Sequence, residues 1–249
     1  MNKYSRIGQV LFYYLIAVGL SMFFRVPKLN PEWYLNLVNY QFGWVLISLL
    51  RASGPLVGGI LSIWLFRNLV KRTITLSGTS LAASLLYFGA PVFMVTILGI
   101  SGNSGVSTHL FGLESGLTIM VYCLFEETGW RGFLLDAMRH MANPLRFIII
   151  GILWYVWHLN FLSGTMASLK FGLMIHLPAC IFGSWIISFM ADKYKSILVA
   201  AGVHSVFNVF FDLQTDLLSK LIIEAGVFLI WIATSYFVDK KKNKAVQIT

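Results

Sequence analysis

The sequence predicts an all-α fold, a polytopic bundle of membrane-spanning helices, and three observations carry that reading. Of its 249 residues, 57% are hydrophobic and only 12% charged, with a mean hydropathy of +0.76. A soluble domain carries roughly a quarter charged residues. Half that level leaves too few charges to solvate a water-exposed surface, which excludes the soluble and disordered classes. Uninterrupted apolar stretches of about 18–25 residues also recur, enough to cross about 30 Å of hydrocarbon as helices. Finally, the net charge of +9 comes from basic residues scattered between the apolar runs. Positive-inside topology explains that scatter better than a nucleic-acid surface, so no nucleic-acid partner is expected.

Eight stretches qualify as spans: about 7–24, 42–66, 81–100, 113 into the 130s, 145–162, 171–191, 196–211 and 221–238. The first follows Lys3 and Arg6 as the core of a signal peptide does. It exits through Ser21-Met22-Phe23-Phe24-Arg25 without a small-x-small cleavage site, so it is expected to be retained. Gly54-Pro55, Pro91 and Pro178 fall inside spans and predict kinks, which neighbouring helices repair in a membrane. No internal repeat, low-complexity tract or long linker divides the chain, so 1–249 reads as one domain. Cys123 and Cys180 lie inside apolar runs and read as small buried hydrophobes. Alternating the loops puts thirteen of the 19 basic residues on one side, from Lys3 and Arg6 through Arg139 and Arg146 to Lys244. Arg25, Lys28, Lys170 and Lys220 fall on the other. A multi-pass integral membrane protein with both termini cytoplasmic is the expectation.

A polar side chain at membrane depth is costly unless it is paired or functional. Span four carries Glu126, Glu127 and Arg131 in Glu-Glu-Thr-Gly-Trp-Arg-Gly, span five carries His158, and span seven carries His204 and Asn208. A turn at Asn143-Pro144 makes spans four and five an antiparallel hairpin. Glu126 lies about 17 residues before it and His158 about 15 after, so at about 1.5 Å per residue the two reach similar depth. His204 and Asn208, four apart, share one face of span seven. Glu127 and Arg131 are spaced for a helical ion pair with the acid N-terminal, which leaves Glu126, on another face, as the free carboxylate. Burial brings such a group into the range useful to a general base. Cys123, one turn before Glu126, reads as core packing. Arg51 reads as a partner for an acid in preference to a site for a substrate carboxylate, His176 as structural, and Glu224 as paired with Lys220.

These three elements, in this order, resemble the CPBP family of intramembrane proteases. That family comprises the type II CAAX prenyl endopeptidases and the bacterial lysostaphin-resistance-like or bacteriocin-immunity proteins. Glu126, Glu127 and Arg131 match its Glu-Glu-x-x-x-Arg motif, with Gly-Trp-Arg-Gly close to the bacterial branch. Trp154 and His158 match an aromatic followed four residues later by histidine, with tryptophan where phenylalanine is commoner. His204 and Asn208 match His-x-x-x-Asn. The resemblance covers about 113–212, as a catalytic core. It implies about eight spans around a membrane-embedded cavity in which a peptide bond is hydrolysed. Glu126 would activate water, His158 would hold that water or a metal, and His204 and Asn208 would polarise the scissile carbonyl. Glu127 and Arg131 would brace the helix. In a dry site each oxyanion donor is worth about 3 kcal/mol.

The family is commonly labelled metalloprotease, although a metal-free, glutamate-activated water also fits its residues. Glu126, His158 and His204 would supply the three ligands of an open zinc site, while the His-Glu-x-x-His helix of the zincins is absent. The resemblance further implies membrane lipid and a peptide or membrane-protein substrate as partners, and a bacterial cell membrane as the location. CAAX-type processing and bacteriocin self-immunity are the roles it suggests. The rival reading is a non-catalytic immunity or scaffold protein that binds a peptide toxin or an envelope partner. Span four gains polar residues toward its end, from Glu126 through Arg131 to Asp136, Arg139 and His140. That ramp predicts a site opening to the cytoplasm or the bilayer.

Overall fold

The computed structural model describes residues 3–40, 42–101, 105–163 and 166–246, and these form helices without a named strand. Eight helices carry the architecture: α1 (Lys3–Arg25), α2 (Gly43–Leu65), α3 (Leu81–Leu98), α4 (Thr108–Gly129), α5 (Asn143–Trp157), α6 (Leu177–Tyr194), α7 (Ile197–Asp212) and α8 (Leu217–Val246). A π-helical turn, Trp130–Leu134, extends α4 to Ala137, and another, Gly172–His176, leads into α6. Six segments are long and apolar enough to cross a membrane; α5 and α7 are shorter apolar helices. Each stretch read from the sequence therefore corresponds to one helix.

Three helix starts are set by serine caps: Ser80, Ser107 and Ser196 each accept a hydrogen bond from the amide three residues on. The helices run on through Pro55 and Pro91, while Pro178 stands in the first turn of α6, just after the π-helical turn. The fifth span ends earlier than its hydropathy predicts. Leu159 takes a positive φ of 58° directly after His158, and a 3-10 turn at Asn160–Ser163 follows. A β-carbon makes that conformation costly, so it breaks the helix cleanly.

Small residues set the distances between helices. At Gly59 and Gly129 the backbones of α2 and α4 meet so closely that a β-carbon on Gly59 would lie 2.8 Å from Gly129 Cα. Such contacts replace the hydrophobic driving force that lipid cannot supply. α1 packs on α2, α4 lies against α2, α3 and α7, and α5 pairs with α6. α7 is the innermost helix, with Val199, Ala200 and Ala201 fully buried. Its start is pinned because Ser196 Oγ receives Ser84 Oγ–H at 2.8 Å and donates to Leu76 O at 3.1 Å.

One end of the bundle is closed by ions. Asp136 accepts from the Thr73 and Ile74 amides and from the Thr73 hydroxyl, and pairs with Arg139. Asp192 on α6 pairs with Arg139, Arg146 and Lys195. The polar ramp of span four is therefore not a water path. Asp136 and Arg139 are bound to each other, to Asp192 and to the Thr73–Ile74 loop, and Phe133, Leu134 and Leu135 beside them are buried.

Replacing Gly129 by alanine would press a β-carbon onto Pro55 O and the Tyr13 ring. We expect Gly129→Ala to lose about 1–3 kcal/mol of stability, read as a lower unfolding temperature in detergent. Gly89→Ala, where a β-carbon meets nothing within 4 Å, should show no loss.

Candidate active site

The polar residues of α4, α5 and α7 meet in two layers. The inner layer is built on the i,i+4 pair in which Arg131 Nη1 donates to both Glu127 carboxylate oxygens, at 2.8 and 2.9 Å. Both side chains have no exposure. Arg131 also reaches Ser188 Oγ at 3.4 Å and Ser184 O at 3.5 Å on α6. His204 lies two turns beyond the Ser196 cap, and its Nδ1 is 2.8 Å from Glu127 Oε1, an ion-pair approach off the line of a hydrogen bond. Arg131 sits within the π-helical turn Trp130–Leu134, a geometry that often marks functional positions.

Glu126 points the other way, into the second layer. Its Oε2 accepts the Trp154 indole N–H at 2.8 Å. Its buried Oε1 accepts no hydrogen bond among the described residues and faces Arg25 Nη2 at 3.7 Å. Arg25 lies over the Trp157 ring, 3.7 Å from its centroid, and donates to Tyr122 Oη at 2.7 Å and Arg51 O at 3.1 Å. His158 follows α5 directly, with Nδ1 2.8 Å from Trp154 O. Trp154 thus contacts both side chains, through its indole to Glu126 and its carbonyl to His158. Phenylalanine could not do the first.

Glu126, His158, His204 and Asn208 line a cavity of about 1040 Å³, while Glu127 and Arg131 stand behind it. The cavity extends through Arg25, Arg51, Ser101 and Gln214, away from the ionic end, so its mouth is opposite to the one expected from the ramp. Asn208 turns its amide toward Cys123 Sγ at 3.5 Å, and Cys123 is buried with Met120 and Ala201, in keeping with core packing. The proposed ligand trio of Glu126, His158 and His204 is not gathered to metal-binding distance; among the described residues the one such group is His158, His176 and Cys180. The reason is competition. Trp154 and Arg25 hold Glu126, and His204 faces Glu127.

Several expectations need correcting. Arg51 donates to Tyr34 Oη at 3.1 Å and lines the cavity instead of meeting an acid. His176 packs against the His158 ring at 4.6 Å between centroids and shares the cavity. Lys220 donates to Phe210 O rather than closing on Glu224. In the sequence Arg25 reads only as a loop cation; its place in the site depends on how α1 docks, which leaves no local signature.

The fold and site define a multi-pass helical membrane protein with a carboxylate and histidines converging in an intramembrane cavity. Residues 108–210 match the family described as Rce1-like, type II CAAX prenyl endopeptidase. The chain is also 29% identical over 132 residues to the CAAX prenyl protease 2 of Methanococcus maripaludis, covering 49% of each protein. The match thus spans about half the length of that curated relative. Both comparisons bear out the resemblance to the CPBP family of CAAX proteases.

Two outcomes follow from the inner layer and from Trp154. Arg131→Ala leaves Glu127 buried without its cation and should cost about 3–5 kcal/mol. The double change Glu127→Gln with Arg131→Gln should recover part of that in detergent unfolding; no recovery would show that the pair is not the source. Trp154→Phe removes a hydrogen bond to a carboxylate worth about 1.5–3 kcal/mol. Once a substrate is in hand, it should slow turnover about tenfold or more with little loss of folded protein.

Proposed function

We propose that this protein is an intramembrane endopeptidase that hydrolyses a peptide bond in a membrane-associated peptide or protein. The observation that carries the reading is a single cavity lined by Glu126, His158, His204 and Asn208. The family match and the curated relative's name support the same class of activity.

Glu126 takes the proton from water through the oxygen that no hydrogen bond occupies, and the bonded oxygen stays anchored on Trp154. His158 keeps the proton of Nδ1 on the Trp154 carbonyl, which leaves Nε2 as an acceptor to orient that water. Attack on the carbonyl builds an oxyanion, which Asn208 and His204 stabilise. Glu127 lies beside His204 Nδ1 and leaves Nε2 as the ring nitrogen available to the oxyanion. Glu126 then returns the proton to the leaving amine. The Glu126–His158–His204 ligand set does not fit a metal here, and no step is routed through one.

Glu126→Gln, nearly isosteric but not basic, should abolish cleavage at unchanged protein level, as should His158→Ala and His204→Ala. Peptide release from a substrate trapped on Glu126→Gln and then presented to the wild-type chain is the measurement. An unchanged biological effect in Glu126→Gln would instead favour a non-catalytic immunity or scaffold protein.

The charge bias orients both termini to the cytoplasm, and the cavity mouth, at the opposite end, then faces outward. With Cys123 and Cys180 replaced by serine, single cysteines test this with a membrane-impermeant reagent on intact cells. Labelling of Ser107→Cys alone is expected. Labelling of Asn143→Cys or Asn243→Cys without permeabilisation would reverse the orientation.

A further inference from the structure

The hydrolytic reading leaves two chemistry-bearing side chains of the cavity, His176 and Cys180, unused. His158, His176 and Cys180 place one ligand atom each within 4.8 Å of one another, and all three line the cavity. We propose that they form a binding site for a borderline-soft divalent cation, zinc being the natural occupant, with its open coordination position toward the cavity.

The donor set argues for this first. Two imidazoles and a thiolate are ligands that zinc selects, and three protein ligands plus water are the pattern of an accessible site. Ligand atoms around a tetrahedral zinc lie about 3.5 Å apart, from bond lengths of about 2.1 and 2.3 Å. Closing from the present spacing thus takes shifts of about 1 Å, within the reach of a cysteine rotamer and a tilted ring. His176 and Cys180 are four residues apart across the junction where the π-helical turn Gly172–His176 becomes α6, so one helix presents both. The third ligand arrives from α5, which Gly151 lets approach closely: a β-carbon there would lie 3.0 Å from Cys180 O and 2.7 Å from Ile181 Cα.

The outer contacts suit the same role. His158 Nδ1 is held by Trp154 O at 2.8 Å, which leaves Nε2 for the ion. Histidine ligands are commonly fixed in this way. His176 Nδ1 lies 3.4 Å from the Asn160 amide nitrogen, its donor as placed; turned over, the amide would present its oxygen to Nδ1 and leave Nε2 for the ion. Binding releases the Cys180 thiol proton to water as the sulfur–metal bond forms. The site shares His158 with the proposed hydrolysis but does not depend on it, because occupancy is read without turnover.

The test uses the full-length, untagged chain in detergent, stripped of metal and titrated with Co²⁺. One equivalent should bind and give thiolate-to-cobalt charge-transfer absorption with the intense visible bands of a tetrahedral ion, and Zn²⁺ should bleach both. The chain has only two cysteines, so the assignment is sharp. Cys180→Ser should lose the charge-transfer band while Cys123→Ser keeps it, and His176→Ala should weaken binding at least tenfold. Glu126→Gln, outside the donor set, should bind Co²⁺ as wild type does; if it also fails to cleave substrate, the two readings are separated. No thiolate band in the wild-type chain, or a band that survives Cys180→Ser, overturns the proposal.

Discussion

Everything around the site depends on one buried ion pair. Glu127 and Arg131 have no exposure at all, and each charge taken out of water costs several kcal/mol. That cost is offset only because the pairing is bidentate and the remaining donors are met. Arg131 reaches Ser184 O and Ser188 Oγ, and Glu127 has His204 Nδ1 beside it. These contacts tie α4 to α6 and α7, so the pair that stabilises itself also fixes three helices in register. A shift of any of them would strand a charge in a low-dielectric interior, a far larger penalty than a lost apolar contact.

Adjacent residues on a helix project about 100° apart, and this gives two neighbouring carboxylates different tasks. Glu127 is turned inward and consumed by the pair. Glu126 is turned to the cavity, where an indole holds one oxygen and leaves the other available. Environment, not residue type, separates the carboxylate held in the ion pair from the one that lines the cavity. Glu126, expected as the free carboxylate, forms an ion pair with Arg25 at 3.7 Å, and Arg25 is itself held by the Trp157 face and by Tyr122. The gathered metal-type donors lie instead on the wall formed by His158, His176 and Cys180.

The bundle is asymmetric along its axis. At one end Asp136 and Asp192 gather Arg139, Arg146 and Lys195 and bind the loop at Thr73 and Ile74. At the other end Arg25, Arg51 and Tyr34 form a looser rim around the cavity. Paired charges fill the ionic end, and the cavity that Glu126 lines extends toward the other.

Hydropathy alone determined the number and order of helices, because a helix in lipid must be apolar over its length and must satisfy its own backbone. Spacing alone determined the Glu127–Arg131 pair, since residues four apart on a helix are neighbours whatever surrounds them. The common depth of Glu126, His158 and His204 was likewise legible from antiparallel geometry. What tertiary structure decided was which faces turn toward which partners. A run of polar residues from Glu126 to His140 looks the same in sequence whether it lines water or closes on itself, and Asp192, more than fifty positions away, settles it. Arg25, His176 and Cys180 carry no local signal because their roles arise from helices docking at glycines. That contact depends on surfaces distant in the chain, and no periodicity within one helix encodes it.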